Sequence, residues 1–403
     1  MSTSLLYHAF SSRGYRYVAT SYLEGGVICR IAKDLEDGRC AAGGSAHVAS
    51  RGQVEREFRC PPIGHHAVTI VVPIPRVGCL NGGVIRQVAL DFAEPRRSYT
   101  KAFARYALEL SRLMTIQDIA HHWGVSWDVI QDIVQDDWHR RFARPKVNQV
   151  RQIAIDEIRM GAGHRYLTIV LDLESGAVVH VGRGKGGAAR EAFWKRRRRS
   201  GAKVEAVATD MSPASIDAVR RRVPKATLVF DRFHGMKLFN DQLSERRRPL
   251  YRQATAARRR VLQGVRWLLI QRPENLDEQR GERERLEEAL KVNEPLATAY
   301  YLKEELSAFW EQDDAEAATA FWLAWRARAE ASEIKVLVDL ARTLRKHAVG
   351  LVAYYDDPIS TGPLEGTTNK IKTMQRQAYG YRDEEFFHLK ILACHESKYA
   401  LVG

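Results

Sequence analysis

Hydrophobic and polar residues change their period several times along this chain, and each change marks a segment. Up to about residue 95, apolar runs at 68–72 and 84–88 stand between Pro, Gly and Asn and predict a small β-rich module. From about Ser98 to Phe142 the period is helical, and Thr115 to Trp138 predicts a helix-turn-helix. Ile116, Ile119 and Ala120 form its first apolar face, Gly124 makes the turn, Ser126 caps the second helix, and Val129, Ile130 and Ile133 face inward. That leaves Trp127, Asp128, Gln131 and Asp132 outward, where the reading side chains of such a motif stand. At Gln152 the period drops to two. Runs at 152–158, 166–173 and 177–181, joined by short glycine turns, predict an antiparallel meander. A helix over about 187–199, a strand over 204–209, a helix opened by Ser212-Pro213, a strand over 227–230 and a helix from about His234 follow. The order β-β-β-α-β-α-β-α predicts a three-layer α/β unit with a mixed sheet. Residues 240–350 are charged, nearly free of glycine and helical in period, an all-helical insertion whose Trp267, Trp310, Trp322 and Trp325 are expected in a core. A last helix opens at Ser360 or Thr361, with Pro363 in its first turn.

Charge adds a partner to this picture. Lys and Arg number 63 against 49 Asp and Glu, giving +14 and a pI near 9.6, a balance suited to a polyanion. The excess is clustered at Lys195, Arg196, Arg197, Arg198 and Arg199, at 246–248 and at 258–260, as solvated helix faces or as DNA-facing blocks. Five cysteines at scattered spacing make no disulfide framework, and no apolar run reaches the length of a membrane span, so a soluble, intracellular protein is expected. Cys40 and Cys79 each open a C-x2-G sequence, a zinc knuckle whose second thiolate is replaced by Gly43 or Gly82, so a structural Zn2+ is not expected.

The candidate chemistry is carried by acids. Asp156 and Asp210 lie within or at the end of apolar β runs, where an unpaired charge is unfavourable. Glu365 lies at the mouth of the last helix and shares a face with Asn369, Lys372 and Arg376, while Leu364, Ile371 and Ala378 point elsewhere. Three such acids suggest a metal site, and hard oxygen ligands without His or Cys favour Mg2+, with Mn2+ as a surrogate. Asp231 and His234, just after a strand, are candidates for tuning the site or touching DNA. Glu157 follows Asp156, and strand alternation points it to the opposite sheet face. The run Gly182-Arg-Gly-Lys-Gly-Gly187 fits G-x-G-x-x-G, but hairpin-like strands before it argue against a dinucleotide fold.

With these residues in place the chain closely resembles the ISL-three family of bacterial insertion-sequence transposases. The resemblance rests on Ile153-Ala-Ile-Asp156-Glu-Ile, Ala206-Val-Ala-Thr-Asp210-Met-Ser-Pro, Leu228-Val-Phe-Asp231-Arg-Phe-His234 and Pro358-Ile-Ser-Thr-Gly-Pro-Leu-Glu365-Gly with Asn369-Lys-Ile-Lys372. It departs from the family pattern at Gly43 and Gly82, and at Gln131, Asp357 and Thr368. The resemblance implies an RNase H-like catalytic core of DDE type in which Asp156, Asp210 and Glu365 hold two divalent cations. It further implies binding of double-stranded DNA, both terminal inverted repeats and target, with strand cleavage followed by strand transfer, and a homo-oligomer in the bacterial cytoplasm at the nucleoid. Ser126, Trp127 and Gln131 would contact DNA. The expected domains are 1–95, the β-rich module; 96–148, the helix-turn-helix; 149–239 and 351–403, the two parts of the core; and 240–350, the insertion. Two alternatives share these residues: an RNase H-like nuclease without joining activity, and a decayed or domesticated copy that only binds DNA.

Overall fold

A computed structural model describes residues 14–33, 48–79, 85–161, 163–230, 235–237, 239–241, 244, 252, 255, 261 and 265–395. The chain forms two compact units, Met1–Arg141 and Phe142–Gly403.

The first unit joins a sheet to helices. Strands β1 (Tyr15–Leu23), β2 (Gly26–Lys33), β3 (Val48–Ile63) and β4 (His66–Cys79) lie in the order β1-β2-β4-β3, with the short β5 (Ile85–Gln87) on β4. Periodicity found only part of β4 and β5. The 16-residue β3 was missed because Pro61 and Pro62 and a polar stretch interrupt its alternation, yet it pairs with β4 over most of its length. The buried face carries Ile31, Phe58, Val68, Ile70, Val72 and Phe92, with the Phe58 and Phe92 rings edge to face at 5.4 Å. Helix α1 (Lys101–Leu110) is capped by Thr100, whose Oγ1 accepts from the Phe103 N–H at 3.1 Å. Helices α2 (Ile116–Trp123) and α3 (Trp127–Phe142) follow around Gly124, which takes the left-handed turn position at φ 59°. The Arg59 guanidinium donates to the Trp123 carbonyl at 2.6 Å and ties sheet to helix.

The second unit is built on a mixed sheet. Strands β6 (Gln152–Arg159), β7 (Tyr166–Asp172) and β8 (Val178–Arg183) form an antiparallel meander, and β9 (Ala206–Thr209) and β10 (Thr227–Phe230) add parallel to the other side of β6. The spatial order is β10-β9-β6-β7-β8. One face is covered by α4 (Gly187–Ser200) and α5 (Pro213–Arg222), with Phe193, Trp194 and Val219 packed on Ile153, Ile155, Val170 and Val207. On the other face of β6, Ala154 and Ile158 are buried too. Two late helices cover this sheet: α11 (Gly362–Gln377) packs on β6, and α12 (Glu384–Leu392) packs on β8.

Between β10 and α11 come α6 (Val265–Ile270), α7 (Glu282–Val292), α8 (Glu294–Ser307), α9 (Ala315–Ala331) and α10 (Lys335–Val352). Trp310, Trp322 and Trp325 enter their common core, and the Trp325 indole donates to the Leu302 carbonyl at 2.8 Å. Trp267 does not: it is 64% exposed, with the Arg266 guanidinium 5.0 Å over its ring. Helical spacing alone could not tell this tryptophan from the other three, because α6 is short and buries only Val265, Leu268 and Leu269. The helical core runs on into the sheet at Phe230 of β10. A methyl group at Gly350 would come within 2.4 Å of the Phe230 ring, so glycine there lets α10 lie close on β10.

Candidate active site

The sheet brings two of the acids together through backbone register. Ile155 of β6 pairs with Thr209 of β9 as the last partners of that parallel ladder. Asp156 is the next residue of β6 and Asp210 the first residue after β9, so the register brings them side by side at one sheet face. Both are half-buried. Asp156 Oδ1 accepts from the Glu157 N–H at 2.8 Å, and Asp210 Oδ1 accepts from the Ser212 N–H at 3.2 Å. The second bond draws Asp210 into the loop that opens α5, where Ser212 is the N-cap.

Glu365 occupies the first turn of α11 and is half-buried. Thr361 stands at the N-cap without a capping bond from its side chain, while Ser360 Oγ accepts from the Gly362 N–H at 3.2 Å. Asn369, Lys372 and Arg376 line the exposed side of α11, and Leu364, Thr367, Thr368 and Ile371 are buried. Ala378 is only half-buried at the helix end. Among the described residues, no three His, Cys, Asp or Glu side chains converge as a group able to hold a metal ion. Thr209 Oγ1, beside Asp210, and Thr368 Oγ1, one turn after Glu365, are buried with no hydrogen-bond partner among the described residues.

Sequence reasoning set Glu157 aside and missed Arg190. Arg190 is 1% exposed, and its guanidinium stands 3.8 Å from the Glu157 carboxylate and donates to Ser215 Oγ at 2.9 Å and to the Lys185 carbonyl at 3.4 Å. Ser215 in turn accepts from Ser212 Oγ at 2.8 Å, so a polar chain runs from Arg190 to the loop that holds Asp210. Burial, then Asp210 and Asp156, push the Glu157 carboxyl up to about 7 against the opposing pull of Arg190 and Lys185. A signal was present: Arg190 is the one charge in the buried stripe Ala189, Phe193, Trp194 of α4.

The remaining candidates divide by surroundings. In the helix-turn-helix, Thr115 and Asp118 form a capping box, and Ser126 Oγ accepts from the Val129 N–H at 3.4 Å. Trp127 is 42% exposed and Gln131 half-buried. The acidic side of α3 is balanced from within the unit, since Arg97 pairs with Asp132 at 2.8 Å and also with Asp136. Within the basic run, Arg196 donates to the Val179 carbonyl and Arg197 to the Arg222 carbonyl at 3.5 Å, leaving Lys195, Arg198 and Arg199 exposed. The block is thus not a uniform solvated face: Arg196 and Arg197 fasten α4 to its neighbours, and Lys195 stands 4.0 Å from the Glu191 carboxylate. The glycine run before α4 follows a strand that is antiparallel to its partner, so no βαβ unit precedes it. Cys29 and Cys60 are buried free thiols, and burial pushes that of Cys60 up to about 12. Asp231, His234, Cys40 and the basic runs at 246–248 and 258–260 lie outside the described residues, and Cys79 ends β4.

Residues 153–391 match a transposase family model, the DDE domain of ISL3 transposases, and residues 88–138 match the helix-turn-helix domain of transposase family ISL3. The chain belongs to the ISL3 family of transposases. It is 31% identical over 344 residues to the transposase for insertion sequence element IS1001 of Bordetella parapertussis, covering 84% of each chain. It is 28% identical over 375 residues to the transposase for insertion sequence element IS1557 of Mycobacterium tuberculosis, covering 86% of this chain and 83% of that one. No described helix is long and apolar enough to cross a membrane.

Proposed function

We propose that the protein binds the terminal inverted repeats of its insertion sequence and carries out divalent-metal-dependent strand cleavage and strand transfer, with Asp156, Asp210 and Glu365 as its catalytic acids. The observation that carries this reading is the register of β6 and β9, which sets Asp156 beside Asp210 in a chain of a transposase family. A mixed sheet in the order β10-β9-β6-β7-β8, with β6 antiparallel to β7 and parallel to β9, supports an RNase H-like core. In this reading residues 149–239 and 351–403 make the core, 240–350 the insertion, 96–148 the helix-turn-helix and 1–95 the β-rich module. A second copy would hold the other element end, and the bacterial nucleoid is the place of action.

The donor chemistry fits Mg2+ or Mn2+. Both carboxylates of the strand pair are hard oxygen donors, and two like charges side by side in a half-buried setting favour a cation between them. When bound, such a cation supplies Lewis-acid stabilisation of charge on a phosphate and lowers the pKa of water. Asp156 and Asp210 would hold it from the sheet, and Glu365 would join them from α11. Asn369, Lys372 and Arg376 orient the DNA backbone along the exposed side of α11, where cations suit phosphates. Ser126, Trp127 and Gln131 of the helix-turn-helix meet the repeat in the major groove, and Lys195, Arg198 and Arg199 add backbone contacts.

Labelled element-end DNA incubated in Mg2+ with wild type and Glu365→Gln tests the proposal. Strand transfer by wild type, lost in the variant while binding is kept, is the expected result. Binding without chemistry in both proteins points to a decayed DNA-binding copy, and cutting without joining to a nuclease.

A further inference from the structure

The catalytic acids leave a second feature of the Phe142–Gly403 unit unused: a cleft of about 240 Å³ between the outer ends of β7 and β8 and the end of α11 with α12. Its size is below the roughly 300–1,000 Å³ of pockets for drug-sized ligands, so it admits one ring system rather than an extended molecule. Its walls suit a flat ring. Tyr381 and Phe387 both line it, their rings nearly parallel at 4.4 Å with the Lys390 ammonium 5.7 Å from the Tyr381 ring centre, and Tyr166 lines another side with the Lys185 ammonium 4.8 Å from its ring centre. Polar groups vary: Gln375 offers an amide, and His164 and His388 offer imidazoles, that of His388 with its pKa lowered by burial and then by Arg183. Arg165 and Arg183 line the cleft with side chains 65% exposed, and both sit 3.3 Å from the single carboxylate of Glu384, so the pair keeps one positive charge in excess.

Position adds a second argument. Met160 of the cleft lies four residues beyond Asp156 along β6, about 13 Å at the rise of a strand. Gln375 lies ten residues beyond Glu365 along α11, about 15 Å at the rise of a helix. Two independent elements therefore set nearly the same distance from acids to cleft, about four steps of a stacked strand at ~3.4 Å each.

We propose that this cleft receives a single unstacked nucleobase of the bound DNA, a few nucleotides from the cut, with Tyr381 as its stacking platform and Arg165 and Arg183 on the flanking phosphates. An aromatic platform beside exposed arginines is the combination that holds one base of a polyanionic strand. The mouth charge favours a phosphodiester chain over a neutral metabolite, and the small volume keeps the backbone outside. The proposal rests on the reading of the chain as a DNA-cutting transposase.

The test uses the full chain and element-end duplexes carrying 5-iododeoxyuridine at successive positions around the cut. Irradiation is expected to cross-link one position, and that position only, to Tyr381, as mapped by mass spectrometry. Tyr381→Leu should weaken binding of the intact duplex about tenfold, and this difference should vanish on a duplex abasic at the cross-linked position. Arg183→Gln, a change on an exposed side chain that leaves the packing alone, should weaken binding and reduce the salt slope by about 1. A shifted complex that still cuts, with no cross-link at this cleft and no dependence on Tyr381 or Arg183, overturns the nucleobase site and leaves the transposase reading standing. Failure of wild type to bind the element ends at all overturns both.

Discussion

Asp156 and Asp210 are placed by backbone hydrogen bonds, Glu365 by side-chain packing, and the two kinds of placement differ in how they fail. The strand pair is set by a ladder from Gln152–Ala206 to Ile155–Thr209, and a one-residue slip of β9 against β6 would turn Asp210 to the face opposite Asp156. Glu365 instead depends on how α11 seats Leu364, Thr367 and Ile371. The whole helical stretch α6 to α10 separates it in sequence from the strands. The sheet acids are therefore robust to changes far from β6 and β9, whereas the helix acid is exposed to every change that shifts the seat of α11.

The largest effect expected is from the acids themselves. Asp156→Asn and Glu365→Gln should each lower cleavage of element-end DNA by roughly 10³-fold with binding retained, the size seen when one charge-stabilising group is removed; equal losses would put the helix acid to the same use as Asp156, and a much smaller loss for Glu365→Gln would separate it from the strand pair. Next comes the seat of α11. Leu364 is fully buried, so Leu364→Ala should lower stability by about 2–5 kcal/mol in urea unfolding and reduce cleavage in the fraction still folded. Unchanged specific activity there would show that packing does not set Glu365.

A pH dependence probes the sheet side. His180 is buried on β8 and donates from Nε2 to the Ala189 carbonyl of α4 at 2.7 Å, and burial pushes its pKa down to about 4. The folded state thus favours the neutral ring. Its contribution is complete above the ordinary value of 6.5 and is lost as pH falls through about 4, a change of roughly 3 kcal/mol. His180→Gln should flatten the wild-type loss of stability over that window by about this amount, measured by urea unfolding at each pH; an unchanged slope would assign the loss to other groups. The smallest effect separates two neighbours on α4. Arg198→Gln should weaken DNA binding and lower the salt slope by about 1 with stability unchanged, while Arg196→Gln should cost roughly 1–2 kcal/mol of stability through its lost bond to Val179 and leave the salt slope alone.

Local signals carried much of this. The meander, the helix-turn-helix with Ser126 at its cap and the opening of α11 after Ser360-Thr-Gly-Pro363 were legible because period, glycine turns and capping chemistry are encoded within a few residues. Strand β3 was not, since pairing to β4 overrides its weak alternation. Trp267 was placed in the core by spacing and proved exposed, and Arg196 and Arg197 read as surface cations while bonding to carbonyls.

The sequence by itself determined the element types from the helix-turn-helix onward, the three candidate acids and the motifs of the family, because these depend on residue type and short-range spacing. Only the tertiary structure decided that Asp156 and Asp210 are neighbours, that a buried Arg190 stands behind Glu157, that Arg97 balances the acids of α3, and that Tyr166, Arg183 and Tyr381 line one cleft. Each of those facts joins residues far apart in the chain, and such contacts arise from strand register and helix packing, which no local pattern encodes.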